Sequence, residues 1–149
     1  MTDTPDARRL ATILSIDIAG FSRASELDEV AAARHVQTLR RIVGERAAHH
    51  KGRIFNTAGD GVMLEFPTVA DGVAGALDIA EAAAEARKDG LPLIRLGLHV
   101  GDVTVLPNGD LIGAGVNVAA RVQQRAEPGE ILTTGDVRNL FATQSAAQF

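Results

Sequence analysis

The chain has 149 residues, 46% of them hydrophobic and 23% charged, a balance that supports a folded core and excludes a disordered segment. With no cysteine there is neither a disulfide framework nor a thiolate zinc site, and no apolar run reaches membrane-spanning length. A formal net charge of -4 argues against a general nucleic-acid coat, while leaving room for a nucleotide ligand in a local electropositive site.

The N-terminal stretch from Met1 to Arg9 leads into a strand-like segment and does not read as a signal peptide. The expectation is a single domain over residues 1–149 in the cytoplasm, with no nucleic-acid partner and no direct membrane insertion. The first patterned segment, Thr12–Ile18, is short and β-branched and reads as a buried strand. Ser25 and Asp28 resemble a capping box opening a helix, whose stripe is Ala32, Val36, Leu39 and Val43; Gly52 closes it. Arg53–Thr57 and Val62–Phe66 flank the turn Ala58-Gly-Asp-Gly61 and predict a β-hairpin. Thr68 and Asp71 open a second helix with an apolar face of Val69, Val73, Ala76, Leu77 and Ala80, stopped by Asp89-Gly90. Ile94–Val100 alternates as a strand with one oily face. Val103–Leu106 reads as its hairpin partner, and Pro107–Asp110 as a turn. A third helix spans about 116–125, a short strand Ile131–Thr133, and the tail from Ala142 has no pattern. The order predicts α+β architecture: a ferredoxin-like, mainly antiparallel sheet with helices packed on one face.

Two carboxylates could carry chemistry. Asp17 ends the first strand and Asp60 sits in the hairpin turn, and the fold allows those elements to lie side by side. Paired oxygen ligands suit hard divalent cations, and two such cations suit in-line phosphoryl displacement. Taken singly, a cap and an ordinary turn explain most such residues. The turn Ala19-Gly-Phe-Ser22 before a helix exposes N–H groups to phosphate, or holds its glycine for steric reasons. Asn117 and Arg121, four apart on the third helix, could hold a ribose and a charged phosphate, or form a solvated face. Arg95 either binds phosphate or pairs across the sheet. His99 reads as structural, and His49 and His50 as complements to a helix dipole.

Four ordered stretches resemble the class III adenylate and guanylate cyclase catalytic domain: Asp17-Ile-Ala-Gly-Phe-Ser22, Asn56-Thr-Ala-Gly-Asp-Gly61, Arg95-Leu-Gly-Leu-His-Val-Gly101 and Gly113-Ala-Gly-Val-Asn-Val-Ala-Ala-Arg121. The resemblance covers about residues 9–141. It implies conversion of ATP to cyclic AMP and pyrophosphate at a homodimer interface, with Asp17 and Asp60 binding two Mg²⁺ or Mn²⁺ ions per site. It further implies phosphate contacts from Ala19, Gly20, Phe21, Ser22 and Arg95, ribose orientation by Asn117, and charge stabilisation at the α-phosphate by Arg121. Metal residues would come from one protomer, and base-reading and transition-state residues from the other.

Two positions depart from the family. Adenine is usually read by a Lys and an Asp; Asp110 matches the second, while Asn56 stands in the Lys position and keeps hydrogen bonding without the charge. Guanylate cyclases tend to place Glu and a small polar residue there, which Asn56 with Asp110 fits worse, so ATP is the expected substrate. The family's further C-terminal strand with a phosphate-binding Lys has no counterpart, since no Lys follows Lys88. The expectation is either a truncated C-terminal end or a site short of one cation. The alternative is a catalytically weak or inactive cyclase-like domain that binds nucleotide or dimerises in regulation. A diguanylate-cyclase-like or polymerase-palm-like protein fits less well, because the hairpin reads Ala58-Gly-Asp-Gly61. A fused or associated regulatory module is a further expectation from the family.

Overall fold

The computed structural model describes residues 7–146, with side chains described to residue 143; Met1–Asp6 of the N-terminal reading lie outside the described residues. β1 (Ala7–Ile18) is longer than the predicted strand, because it pairs antiparallel along its whole length with β4 (Ile94–Val105). The expected hairpin between Val100 and Val103 is therefore absent, and β4 runs straight through. Gly101 is small for a different reason than turning: a Cβ there would lie 2.7 Å from His99 Nε2 and 3.1 Å from Gly115 Cα.

α1 (Phe21–Leu27) and α2 (Glu29–Ala48) replace the single predicted helix. Ser25 lies inside α1 and caps nothing; Asp28 is the N-cap of α2, its Oδ1 accepting from the Ala31 N–H at 3.1 Å. The predicted stripe does face inward, with Ala32, Leu39 and Val43 buried and Val36 packed beside them. At its end Lys51, not Gly52, takes the left-handed conformation, at φ 62. Gly52 is required by packing, since a Cβ there would meet the Phe66 ring at 2.6 Å. His50 does more than complement a dipole: its Nε2 sits 2.9 Å from Asp78 Oδ2 on the next helix.

β2 (Arg53–Ala58) and β3 (Gly61–Phe66) form the expected hairpin, with Gly59 supplying a positive φ of 57. α3 (Val69–Ala86) starts at Thr68, whose Oγ1 accepts from the Asp71 N–H at 3.0 Å. Of the predicted face, Val69 and Ala76 are buried and Val73 and Ala80 pack against the core, and only Leu77 turns outward. Gly72, Gly75, Ile79 and Ala83 are buried, while Leu77 is 58% exposed. The two glycines let the sheet approach, since a Cβ on Gly75 would lie 2.5 Å from the Phe66 ring.

Beyond β4 come β5 (Leu111–Ile112), α4 (Ala114–Arg125), β6 (Ile131–Thr133) and α5 (Gly135–Ala146). β5 is the true partner across the Pro107–Asp110 turn, pairing with Thr104 and Val105, and β6 pairs with β4 in parallel. α5 was missed because its sequence is polar and weakly patterned; it is anchored by Val137, 1% exposed. The unpatterned tail thus enters this helix through Ala146, and residues 147–149 lie outside the described residues.

The strand order is β2-β3-β1-β4-β5, antiparallel throughout, with β6 beside β4. This is the expected α+β sheet, but helices cover both faces. Leu14, Ile16, Leu64, Phe66 and Leu98 join α2, α3 and Val137 in the larger core, while Ala11, Ile13, Val103 and Leu111 pack against Ala119 of α4 on the other side. Each fully buried Leu or Ile contributes about 1.5–3 kcal/mol to holding these layers together. Period-two alternation along β1 then puts Ser15 and Asp17 on the α4 side.

Candidate active site

Asp17 stands directly opposite Arg95 in the β1–β4 ladder. Arg95 Nε donates to Asp17 Oδ1 at 2.9 Å and Nη2 to Oδ2 at 2.6 Å, while Nη1 donates to the Gln124 carbonyl of α4 at 3.2 Å. Of the two readings of Arg95, the cross-sheet pair is the one present. The Asp17 hydrogen bonds hold the guanidinium above its ordinary pKa despite partial burial.

Asp60 reaches the same place from the hairpin. Its Oδ2 accepts from the Ile18 N–H at 2.8 Å, pinning the turn to the end of β1. From the outer side, Arg40 Nη2 donates to the Gly59 carbonyl at 3.0 Å. Burial pushes the Asp60 carboxyl above the usual carboxylate range, the Ile18 N–H opposes this, and the charge of Asp17 adds to the rise. Both side chains offer only hard oxygen donors, as Mg²⁺ or Mn²⁺ requires. Among the described residues no group of three or more His, Cys, Asp or Glu gathers for a metal. Two carboxylates complete a coordination shell only with added oxygens, such as water or ligand phosphate, and Arg95 would have to release at least one Asp17 oxygen.

The turn after β1 is anchored by the Ala19 N–H on the Leu93 carbonyl at 2.9 Å, and Gly20 takes φ 69. α1 has no side-chain cap, and the Ala24 N–H is the first to bond back, to Gly20 at 3.1 Å. The N–H groups of Phe21, Ser22 and Arg23 precede that bond. Phe21 packs its ring on the larger core, while Ser22 is exposed.

Asn56 owes its orientation to a bulge. The β2–β3 register shifts between Ile54 and Asn56, so Phe55 is an extra residue and Asn56 pairs with Met63. Met63 and Phe55 pack in the α4-side cluster. Without the bulge Asn56 would share the side of Ile54. Asp110 lies just before β5, its Oδ1 accepting from the Leu111 N–H at 2.8 Å. Arg53 Nη2 donates to the Gly109 carbonyl at 2.8 Å, which brings the start of β2 against the turn before Asp110.

Asn117 and Arg121 lie on the exposed face of α4. α4 buries Gly115, Ala119 and Gln123 against the sheet. Residues 117 and 121 are each two positions away, about 200° around the helix, and project away from their own sheet. Both are exposed, and no side-chain hydrogen bond or ion pair joins either to the other described residues. Asp17, Asp60 and Arg95 thus gather at the end of β1 beside the 19–22 turn, while Asn117 and Arg121 face outward from α4.

Sequence reasoning missed Arg53 and Arg9, which flank the buried carboxylate of Glu65, and it missed Arg40 on the hairpin turn. A Glu inside an apolar strand, with arginines in both neighbouring strands, was the available signal; no short-range spacing marks it. His99 is 8% exposed, with Nδ1 3.0 Å from Thr134 Oγ1, and burial holds it below its ordinary pKa.

The chain is similar to known proteins in both sequence and fold. Residues 6–148 match the family model of the adenylate and guanylate cyclase catalytic domain. A putative adenylate cyclase of Rhizobium meliloti is 40% identical over 134 residues, covering 83% of this chain and 22% of that protein. A pH-sensitive adenylate cyclase of Mycobacterium tuberculosis is 29% identical over 90% of this chain and 33% of that protein. The chain therefore spans a third or less of these relatives. The crystal structure of an adenylate/guanylate cyclase/hydrolase from Silicibacter pomeroyi superposes with a TM-score of 0.82 at 33% identity, over 93% of this chain and 83% of that one.

Proposed function

The chain belongs to the adenylate and guanylate cyclase catalytic domain family, and on that premise we propose that it converts ATP to cyclic AMP and pyrophosphate at the interface of a homodimer. The observation that carries this reading is the convergence of Asp60 and Asp17 at the end of β1, where Asp60 Oδ2 accepts from the Ile18 N–H next to Asp17 and burial and the Asp17 charge push the Asp60 carboxyl up.

Asp17 and Asp60 would hold Mg²⁺ or Mn²⁺, two ions per site. Bound there, the metal supplies acidification of the ribose 3′-hydroxyl and neutralisation of the triphosphate. Arg95 turns its fork from Asp17 to phosphate oxygens as the nucleotide enters, and the N–H groups of the 19–22 turn add donors. The 3′-oxygen gives its proton to solvent water and attacks the α-phosphorus in line, forming the cyclic ester as the bond to pyrophosphate breaks. Asn117 orients the ribose, and Arg121 neutralises charge growing on the α-phosphate. Because these two residues project from α4 away from their own sheet, each site takes them from the second copy. Asp110 accepts from the adenine amino group, where guanine presents a carbonyl, and Asn56 donates to the ring nitrogen beside it. The single domain over residues 1–149 works beside a regulatory module, a reading supported by the length of the relatives outside the matched span.

Arg95 on both oxygens of Asp17 favours the second reading, a weakly active or inactive domain in regulation. Turnover separates the two. Purified protein is incubated with Mn²⁺ and ATP or GTP beside an Asp17→Ala variant, and cyclic nucleotide is quantified by mass spectrometry. Cyclic AMP from the wild type alone supports the enzyme; equal background from both proteins refutes it.

A further inference from the structure

Glu65 is buried to 8% exposure on the α4 side of β3, opposite Ile13 of β1 and Arg53 of β2. A carboxylate so placed needs cationic partners. Arg9 supplies a two-pronged pair, with Nη1 on Oε2 and Nη2 on Oε1 at 3.0 Å. Arg53 adds Nε on Oε1 at 3.1 Å and then spends Nη2 on the Gly109 carbonyl at 2.8 Å. Its guanidinium carbon lies 6.0 Å from the centre of the Phe55 ring, which further limits its direction.

The Gly109 contact crosses the fold. β2 and β5 lie at opposite ends of the strand path, so no backbone ladder sets one against the other. Among the described side-chain hydrogen bonds, Arg53 to Gly109 is the one that joins β2 to the turn before β5. Asn56 follows Arg53 by three residues, and Asp110 follows Gly109 by one. The Asp110 carboxylate is tied in turn to its own loop through the Leu111 N–H. Moving the turn therefore moves the carboxylate.

We propose that Arg53 is a positioning residue for base selection: by clamping β2 to the Gly109 carbonyl it fixes the span between Asn56 and Asp110, and so sets the preference for ATP over GTP. This rests on the reading of Asn56 and Asp110 as the pair that contacts the base. Only a guanidinium reaches Glu65 with Nε while holding a carbonyl with Nη2, so Lys does not substitute.

The test uses the full chain as wild type, Arg53→Met, Arg53→Lys and Arg9→Met. Fluorescent ATP and GTP analogues are titrated with Mn²⁺, and selectivity is scored as the ratio of the two dissociation constants. A ratio taken within one variant cancels any loss of folded protein. Both Arg53 variants are expected to lower the ratio about three- to ten-fold, the scale of one hydrogen bond. Arg9→Met weakens the same ion cluster but spares the Gly109 contact, and is expected to keep the wild-type ratio. An unchanged ratio in Arg53→Met, an equal fall in Arg9→Met, or a wild type without preference each overturns the proposal. Cyclic nucleotide formation is followed in parallel. Selective binding without turnover counts against the cyclase reading and leaves this one to be decided by the ratio.

Discussion

Replacing Asp17 and Asp60 by asparagine should change stability in opposite directions. Asp17 accepts two hydrogen bonds from Arg95 across a half-buried ladder position, with side chains 18% and 25% exposed. Asp17→Asn removes the charge and leaves Arg95 without its counter-ion. Hydrogen bonds to charged groups are worth about 1.5–3 kcal/mol, discounted here for partial solvent screening to about 1–2. For a chain of this size that is a fall in Tm of about 3–8 °C. Asp60 is different, because its ionised form is penalised by burial and by Asp17. Asp60→Asn keeps an acceptor for the Ile18 N–H and removes the penalised charge. Its Tm without metal should equal or exceed that of the wild type. The sign follows from linkage: a carboxyl raised in the folded state binds its proton more tightly there. Its stabilisation is complete below the ordinary carboxyl pKa and fades as pH rises through the folded value. The advantage of Asp60→Asn should accordingly shrink as the pH is lowered through that window. Thermal unfolding in EDTA, followed by circular dichroism across pH, measures both. A fall in Asp60→Asn as large as that of Asp17→Asn would refute the reasoning, since the charge of Asp60 would then be favourable.

Arg121→Ala and Asn117→Ala should leave Tm within about 2 °C, because neither side chain has a hydrogen-bond or ion-pair partner among the described residues; Arg121→Ala should cut cyclic AMP formation by about 100- to 1,000-fold in an initial-rate assay. Glu65→Gln should destabilise near neutral pH: burial raises the Glu65 carboxyl, but Arg9 and Arg53 outweigh it and hold it below its ordinary value. That stability is present above the ordinary carboxyl pKa and lost as pH falls through the folded one, so the Tm gap from wild type should close in acid. Two carboxylates make an incomplete cation shell, so Mn²⁺ alone should raise Tm less than Mn²⁺ with a non-hydrolysable ATP analogue, read by a thermal-shift titration.

Much of this was legible in the sequence for a physical reason. Strand and helix periodicity, the Thr68 cap and the glycine-bearing hairpin turn are local, and they fixed where Asp17 and Asp60 would meet. Features set by distant neighbours were not. Gly101 reads as a turn until α4 lies against it, and Leu77 reads as core until Gly75 is found under the Phe66 ring. Nothing local marks the bulge at Phe55, yet it sends Asn56 to the α4 side of the sheet. The pairing of Arg95 with Asp17 depends on a ladder spanning 78 residues. The helical spacing of Asn117 and Arg121 was readable, but their turn away from the sheet required knowing that Gly115, Ala119 and Gln123 face it.

The most direct test of the composite site mixes two inactive variants. Asp17→Ala and Arg121→Ala are unfolded, combined in equal amounts, refolded and assayed with ATP and Mn²⁺. Random pairing makes about half the dimers mixed, and each mixed dimer carries one intact site of two, so about a quarter of wild-type cyclic AMP formation should return. Activity no greater than that of either variant alone would contradict a site shared between two chains.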